Sequence, residues 1–301
     1  MKQHPRFDVI CLGEAMGEIA FSAPAAPQVA VGGDTFNTAV YLGRAGLRVA
    51  FASMVGADPF GGMVRCALRD NGVSDDLLRT HPSATTGLYT IENDVSGERS
   101  FAYWRETSAA RQSFVAPPAP WLAGLGETAL LYLSGISLFA FRAQAEVLFE
   151  TLADLRTRGV RIAFDGNFRP RLWQDDLAQA RHIHARVVSL SDICLPTFED
   201  EALLWGDTSP EACVARLAEM GPSTIVLKQG AAGCALWAGG ALTSVPIRTV
   251  VEVVDTTAAG DSFNAGFLAG LHQGLTPDEA ALAGHDLAGR VIGWRGAILP
   301  A

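Results

Sequence analysis

The chain has 301 residues, a net charge of −9, and 49% hydrophobic against 18% charged residues. That is enough apolar material for a sizeable core without disulfide or metal staples, and it excludes a disordered or coiled-coil protein. No Lys/Arg cluster occurs in this acidic chain, which argues against nucleic acid as a partner and leaves room for a small anionic ligand held by a few placed cations.

In chain order, short β-branched runs alternate with helical stretches over almost the whole length. The N-terminus reads as the strand Phe7–Leu12 and not as a signal peptide, because Asp8 interrupts its only apolar run and no small-residue cleavage site follows. Further strands are predicted at Arg48–Met54, Ala129–Ser134, Val160–Asp165, Ser191–Leu195, Thr224–Lys228 and Cys234–Ala238. Helices are predicted near Asn37–Ala45, Gly61–Asn71, Arg142–Arg158, Asp176–Leu190 and Pro210–Met220. Runs such as Ala129–Leu133 are apolar throughout, as in strands covered on both faces, so the fold class is α/β: a doubly wound, mostly parallel sheet with helices on both faces. The longest apolar stretch, Ala129 to Phe141, is broken by Ser134, Gly135 and Ser137, short of the roughly twenty residues a membrane span needs. A single domain is expected over residues 1–301, with Ala116–Pro120 a surface connection.

Residues 86–105 break that rhythm with a strand, a turn at Asn93–Gly97 and a second strand. The second arm alternates, with Phe101, Tyr103 and Arg105 on one face and Ala102 and Trp104 on the other. Such a half-exposed hairpin is expected outside the main sheet as a lid, with residues 14–34 adding strands to it. The five cysteines (Cys11, Cys66, Cys194, Cys213, Cys234) are scattered and form no CxxC, so they read as buried reduced thiols of a cytoplasmic protein.

The strongest chemical signal is Val254-Asp-Thr-Thr-Ala-Ala-Gly-Asp-Ser262. Phe263, Phe267 and Leu271 follow at four-residue spacing and predict a helix from Asp261 to Gly274. Ala258, Ala259 and Gly260 let another molecule approach the backbone, where N–H groups and the helix dipole make an anion site suited to a phosphoryl group. Asp261 reads either as a plain helix cap or as the acceptor of a proton from a substrate hydroxyl. A second signal, Gly32-Gly33-Asp34 with Asn37, brings two polar side chains to another helix start. No P-loop and no glycine-rich dinucleotide fingerprint occurs, so neither that nucleotide site nor a nicotinamide or flavin site is supported.

Taken together, GGD-x-x-N-x-A near the start and D-T-T-A-A-G-D-S-F near the end, with the hairpin between, resemble the PfkB or ribokinase-like carbohydrate kinases over essentially the full chain. The segments Gly33–Tyr41, Gly97–Arg105, Leu133–Ser137, Asp165–Trp173 and Arg295–Pro300 are similar to members acting on the sugar acid 2-keto-3-deoxygluconate. The resemblance implies a ribokinase-like fold with a small β-sheet lid, and ATP-dependent transfer with magnesium to give the 6-phosphate. It implies Asp261 as general base, with Ala258, Ala259 and Gly260 as the anion hole. Relatives often carry glycine where Ala258 stands, and its methyl is expected to be tolerated with φ below zero.

The implied sugar contacts are Gly33, Asp34, Asn37, Tyr89, Tyr103, Arg105 and Arg169, the arginines suiting a carboxylate. The implied nucleotide contacts are Asn167, Lys228, Gly230, Gly233 and His285. Thr197 and Asp200 stand where relatives organise magnesium through N-x-x-E, and Asp255 and Thr257 offer oxygens to a monovalent cation such as potassium. An exposed lid edge, and the assembly of relatives, lead us to expect a homo-oligomer through the lid. Rival readings are a kinase for fructose or another neutral sugar and a non-catalytic sugar-binding regulator; an NAD-dependent oxidoreductase stands third.

Overall fold

The computed structural model describes residues 5–21, 26–93, 99–174 and 176–300. The strands are β1 (Phe7–Leu12), β2 (Met16–Phe21), β3 (Gln28–Gly32), β4 (Val49–Gly56), β5 (Val73–Ser74), β6 (Leu78–His81) and β7 (Gly87–Asn93). They continue with β8 (Arg99–Trp104), β9 (Thr128–Ser134), β10 (Arg161–Asp165), β11 (Ile193–Cys194), β12 (Thr224–Lys228), β13 (Cys234–Ala238) and β14 (Ala241–Val245). The helices are α1 (Asp34–Arg44), α2 (Pro59–Asp70), α3 (Ala119–Leu125), α4 (Gly135–Phe141) and α5 (Ala145–Thr157). After them come α6 (Leu177–Ser189), α7 (Phe198–Trp205), α8 (Pro210–Glu219), α9 (Ala259–His272) and α10 (Pro277–Ile292).

The main sheet runs β14-β13-β12-β11-β10-β9-β1-β4-β5, with β6 beside β4. Pairs from β12 through β5 are parallel, and β13 and β14 close one edge antiparallel. Side chains alternate between its two faces. Ile10, Leu12, Leu131 and Leu133 pack into a core with helices α3 to α8. Val9, Cys11, Leu130 and Tyr132 pack into a second core with α1, α2, α9 and α10. Both faces are therefore covered, which accounts for the uninterrupted apolar strands.

A separate sheet, β3-β2-β7-β8, forms from the segments where the lid strands were expected. Its parallel β2–β7 pair places Glu18 opposite Tyr89, and the β7–β8 hairpin places Tyr89 opposite Tyr103. Gly17 seats this sheet on α2, because a Cβ there would stand 2.4 Å from the Phe60 ring. Most of the expected hairpin turn, residues 94–97, lies outside the described residues.

Three local expectations change. The apolar run after β9 divides at Ser134, whose hydroxyl caps α4 by accepting the Ser137 N–H at 3.2 Å. The segment expected as a surface connection already enters α3 at Ala119. Cys66 is exposed on α2, whereas the other four thiols are buried; all five are unpaired.

Candidate active site

α9 begins where the chain turns sharply at Ala258, which adopts φ 61° and ψ 17°. The expected negative φ is therefore wrong. The turn that lets the Ala259 N–H reach Thr256 O at 3.2 Å passes through the left-handed region. Alanine there costs about 1 kcal/mol more than glycine because its Cβ crowds the backbone. The hydrogen bond also occupies one of the three amides expected to receive an anion. The first-turn amides beyond it still point out of the helix with the dipole behind them.

Asp261 lies on that first turn with its side chain buried. Asn37 Nδ2 donates to Asp261 Oδ2 at 2.8 Å, and Thr38 Oγ1 donates to Asp261 O at 3.1 Å, so α1 holds the start of α9. Burial, and then the nearby Asp34 carboxylate, push the Asp261 carboxyl well above the usual range, against the pull of Asn37 and Lys228. Asn37 Oδ1 is buried without a hydrogen-bond partner among the described residues, leaving an acceptor for a ligand hydroxyl. Gly33, before α1, adopts φ 151° in close approach to β1's continuation: a Cβ would fall 2.4 Å from Glu14 O. Asp34 accepts from Asn167 Nδ2 at 2.8 Å. Its carboxyl is raised by burial, opposed by bonds from Ser134, Thr35 and Asn167 and reinforced by Asp165. Asn167, expected beside nucleotide, thus carries its amide on Asp34; its own φ of 34° is one that Asn tolerates.

On the other side of α9 a cavity of about 380 Å³ is lined by Lys228, Gly230, Gly233, Ala259, Gly260 and His285, with Val250, Val251 and Ile292 giving it apolar walls. His285 packs against Phe263 at 5.0 Å between ring centroids, and its Nε2 lies 3.2 Å from Val245 O. Burial holds its imidazole below the ordinary value, in the neutral form.

The lid residues arrive differently from their sequence pattern. Tyr103 extends β8, stacks on Tyr89 at 5.9 Å and remains 49% exposed, whereas Arg105 turns inward and is only 3% exposed. A buried carboxylate, Glu14, draws it in through an ion pair, and Ser108 Oγ donates to the other Glu14 oxygen at 2.5 Å. Arg105 Nε remains buried without a hydrogen-bond partner among the described residues. Tyr89 donates its hydroxyl to Glu18. Arg169, just beyond β10, pairs with Asp200 at 3.1 Å and is half exposed. Burial raises the Tyr103 hydroxyl and the charges of Arg105, Arg169 and Arg171 pull it back, so three guanidiniums lie near this corner, two of them already paired with Glu14 and Asp200.

A buried carboxylate on a helix's first turn, an apolar cavity behind it and three guanidiniums beside a small separate sheet thus lie around the start of α9. The sequence matches the pfkB family carbohydrate kinases over residues 7–301. This chain belongs to that family. The kinase is 38% identical over 302 residues to the 2-dehydro-3-deoxygluconokinase of Dickeya dadantii, covering 97% of both chains. Its fold matches a PfkB protein from Polaromonas sp. with TM-score 0.85 and 27% identity, covering 95% of this chain and 96% of that one. It also matches a fructokinase with bound ATP from Xylella fastidiosa with TM-score 0.82 and 25% identity, covering 97% and 94%.

The kinase's acidic residues divide by donor set. Asp255 accepts from Thr257 N at 2.9 Å, from Thr257 Oγ1 at 2.7 Å and from Gly296 N at 2.7 Å, so it ties the turn before Ala258 to the C-terminal segment. Asp200 lies on the first turn of α7, whose cap Thr197 lines the cavity. Burial raises its carboxyl while Arg169 lowers it, and the charges of Asp165 and Lys228 reach it. Its oxygens suit magnesium, which takes few protein ligands besides phosphate and water, on condition that Arg169 shares them.

Five functional candidates escaped sequence reasoning: Glu14, Glu18, Tyr132, Asp165 and Asn264. Two left a signal. Asp165 ends the apolar strand β10, and Asn264 is polar on the buried side of a helix between Phe263 and Phe267.

Proposed function

We propose that this PfkB kinase transfers the γ-phosphoryl group of ATP to the primary hydroxyl of 2-dehydro-3-deoxygluconate, giving the 6-phosphate and ADP. The observation that carries the chemistry is the buried Asp261 carboxylate at the start of α9, held by Asn37 beside an unpartnered Asn37 oxygen. The hydroxyl oxygen forms the new bond to phosphorus, its proton passes to Asp261, and the bond from phosphorus to the ADP oxygen breaks. The amides at the start of α9 and Lys228 meet the charge on the phosphoryl group, and the cavity beside Gly230, Gly233 and His285 takes the nucleoside. Asp200 would help hold the magnesium that accompanies ATP, and the ion would supply neutralisation of charge on the phosphates.

Preference for an acid sugar is supported by the three guanidiniums near Tyr103, those of Arg105, Arg169 and Arg171, together with the full-length likeness to the Dickeya enzyme. Arg105 is a positioned group, its charge already shared with Glu14. A neutral ketose such as fructose offers these guanidiniums hydroxyl oxygens but no carboxylate for a charge-assisted, two-pronged pair.

The test is ADP release with ATP and magnesium, run in parallel on 2-dehydro-3-deoxygluconate and fructose, with Asp261→Asn as control. We expect a strong preference for the acid sugar, and a loss of about 100- to 10,000-fold in kcat for the variant with sugar binding retained. Preference for fructose overturns the sugar assignment, and wild-type turnover by the variant overturns the base.

A further inference from the structure

We propose that Asp165, Asn264 and Tyr132 form a buried frame that fixes the Lys228 ammonium beside Gly260, making Lys228 the protein's fixed cation for the phosphoryl group in transfer. The inference rests on the ATP-dependent transfer proposed above.

Lys228 ends β12 and is 8% exposed, yet its Nζ stands only 3.5 Å from where a Cβ on Gly260 would lie. It therefore reaches the backbone of the anion-binding turn, and it lines the same cavity as Ala259 and Gly260. Nζ donates to Asp165 Oδ1 at 3.2 Å and to Asn264 Oδ1 at 3.1 Å. Asn264 Nδ2 donates to Asp165 Oδ2 at 2.7 Å and to Tyr132 OH at 3.0 Å. The neighbours fix the amide's orientation without ambiguity, since an ammonium only donates and a carboxylate only accepts. Lysine, aspartate and asparagine thus close a triangle that removes lateral freedom from a flexible side chain. The two acceptors leave one ammonium N–H for a ligand.

The frame does not stop there. Tyr132 OH lies 3.4 Å from Thr38 Oγ1, which also donates to the backbone carbonyl of Asp261. The same side chains that hold the cation are therefore joined to the peptide of the base. Tyr132, Asn264 and Asp165 are all at most 3% exposed, and inside so dry a site a fixed charge acts far more strongly than in water. Asp165 compensates the ammonium, which explains how a buried lysine is tolerated there. On this assignment Asn264 and Tyr132 are positioning residues that act through Lys228.

A double-mutant cycle tests this, using whichever sugar the wild-type kinase phosphorylates, so a wrong sugar assignment does not decide it. Lys228→Ala should lower kcat about 100-fold, and Asn264→Leu about tenfold or more, each with KM for the sugar within about twofold of wild type. The double variant should be no slower than Lys228→Ala alone, because Asn264 has nothing left to position. Tyr132→Phe removes one hydroxyl with little risk to folding and should likewise be silent in the Lys228→Ala background. Losses that multiply, or an Asn264→Leu enzyme with wild-type kcat, overturn the frame. If Asn264→Leu fails to fold, Tyr132→Phe decides the question; if no sugar turns over, the cycle is read in ATP affinity by calorimetry.

Discussion

Ala258 carries a local cost at the centre of the site. Its φ of 61° is held from two sides: Thr256 O accepts the next residue's N–H, and Asp255, bonded to Thr257 and to Gly296, fixes the approach. Glycine adopts this conformation freely, so Ala258→Gly should leave turnover near wild type and stabilise the fold by about 0.5–1 kcal/mol, read as a raised urea midpoint. A lower midpoint would show that the methyl contributes packing that outweighs the strain. The sequence made this residue's identity and place plain but not its dihedral, because the sign of φ is set by bonds to Asp255 and Thr256 and by the direction in which α9 leaves. Arg105 shows the same limit. Alternation along β8 put it beside Tyr103, but Glu14, 91 positions away, turns it into the core.

Elements were far more legible. β1, β12 and β13 begin and end where apolar periodicity placed them, since strands buried on both faces advertise themselves as uninterrupted runs. Helix α4 was hidden because it continues the apolar run of β9, and only the Ser134 cap marks the change of period. What no single element could reveal is how two helix starts interact. α1 brings Asp34 and α9 brings Asp261 close enough for the charge of one to act on the other, and Asn37 of α1 holds Asp261 by a hydrogen bond. Burial and then Asp34 raise Asp261, so the proton is held to higher pH than on an ordinary aspartate. In the folded state such a raised carboxyl gives stability at low pH that is lost as pH rises through its folded value. With Asp261 as the base proposed above, activity has the opposite sign, because the carboxyl must be ionised to accept a proton, so kcat/KM should climb with pH along an acid limb displaced above the usual carboxylate range. The two carboxyls titrate as a pair. Asp34→Asn removes the neighbouring charge and should move that limb to lower pH, even as the level of activity falls. A limb that stays in place would mean that Asp34 does not govern the base.

At the scale of the whole molecule, the topology followed from the sequence and the use of the lid did not. A doubly wound sheet buries its strands completely, but the sheet β3-β2-β7-β8 has two edges unpaired among the described residues and leaves Phe21, Val29 and Trp104, all on one face, between 43% and 59% exposed. Apolar side chains gathered on one face of a small sheet favour burial against another surface. A second copy of this chain is the simplest occupant, because a two-fold contact would cover both lids at once and steady both hairpins over their sites. Tyr89 and Tyr103, stacked and joined through Glu18 to β2, would then close on the sugar as part of a rigid double layer. Light scattering at assay concentration should therefore give a dimer mass. Trp104→Glu should yield monomers that stay folded, with KM for the sugar raised and ATP affinity unchanged, because the cavity beside α9 lies outside the lid. A wild-type monomer that is fully active would remove the second copy from the mechanism and leave lid closure to be driven by the sugar alone.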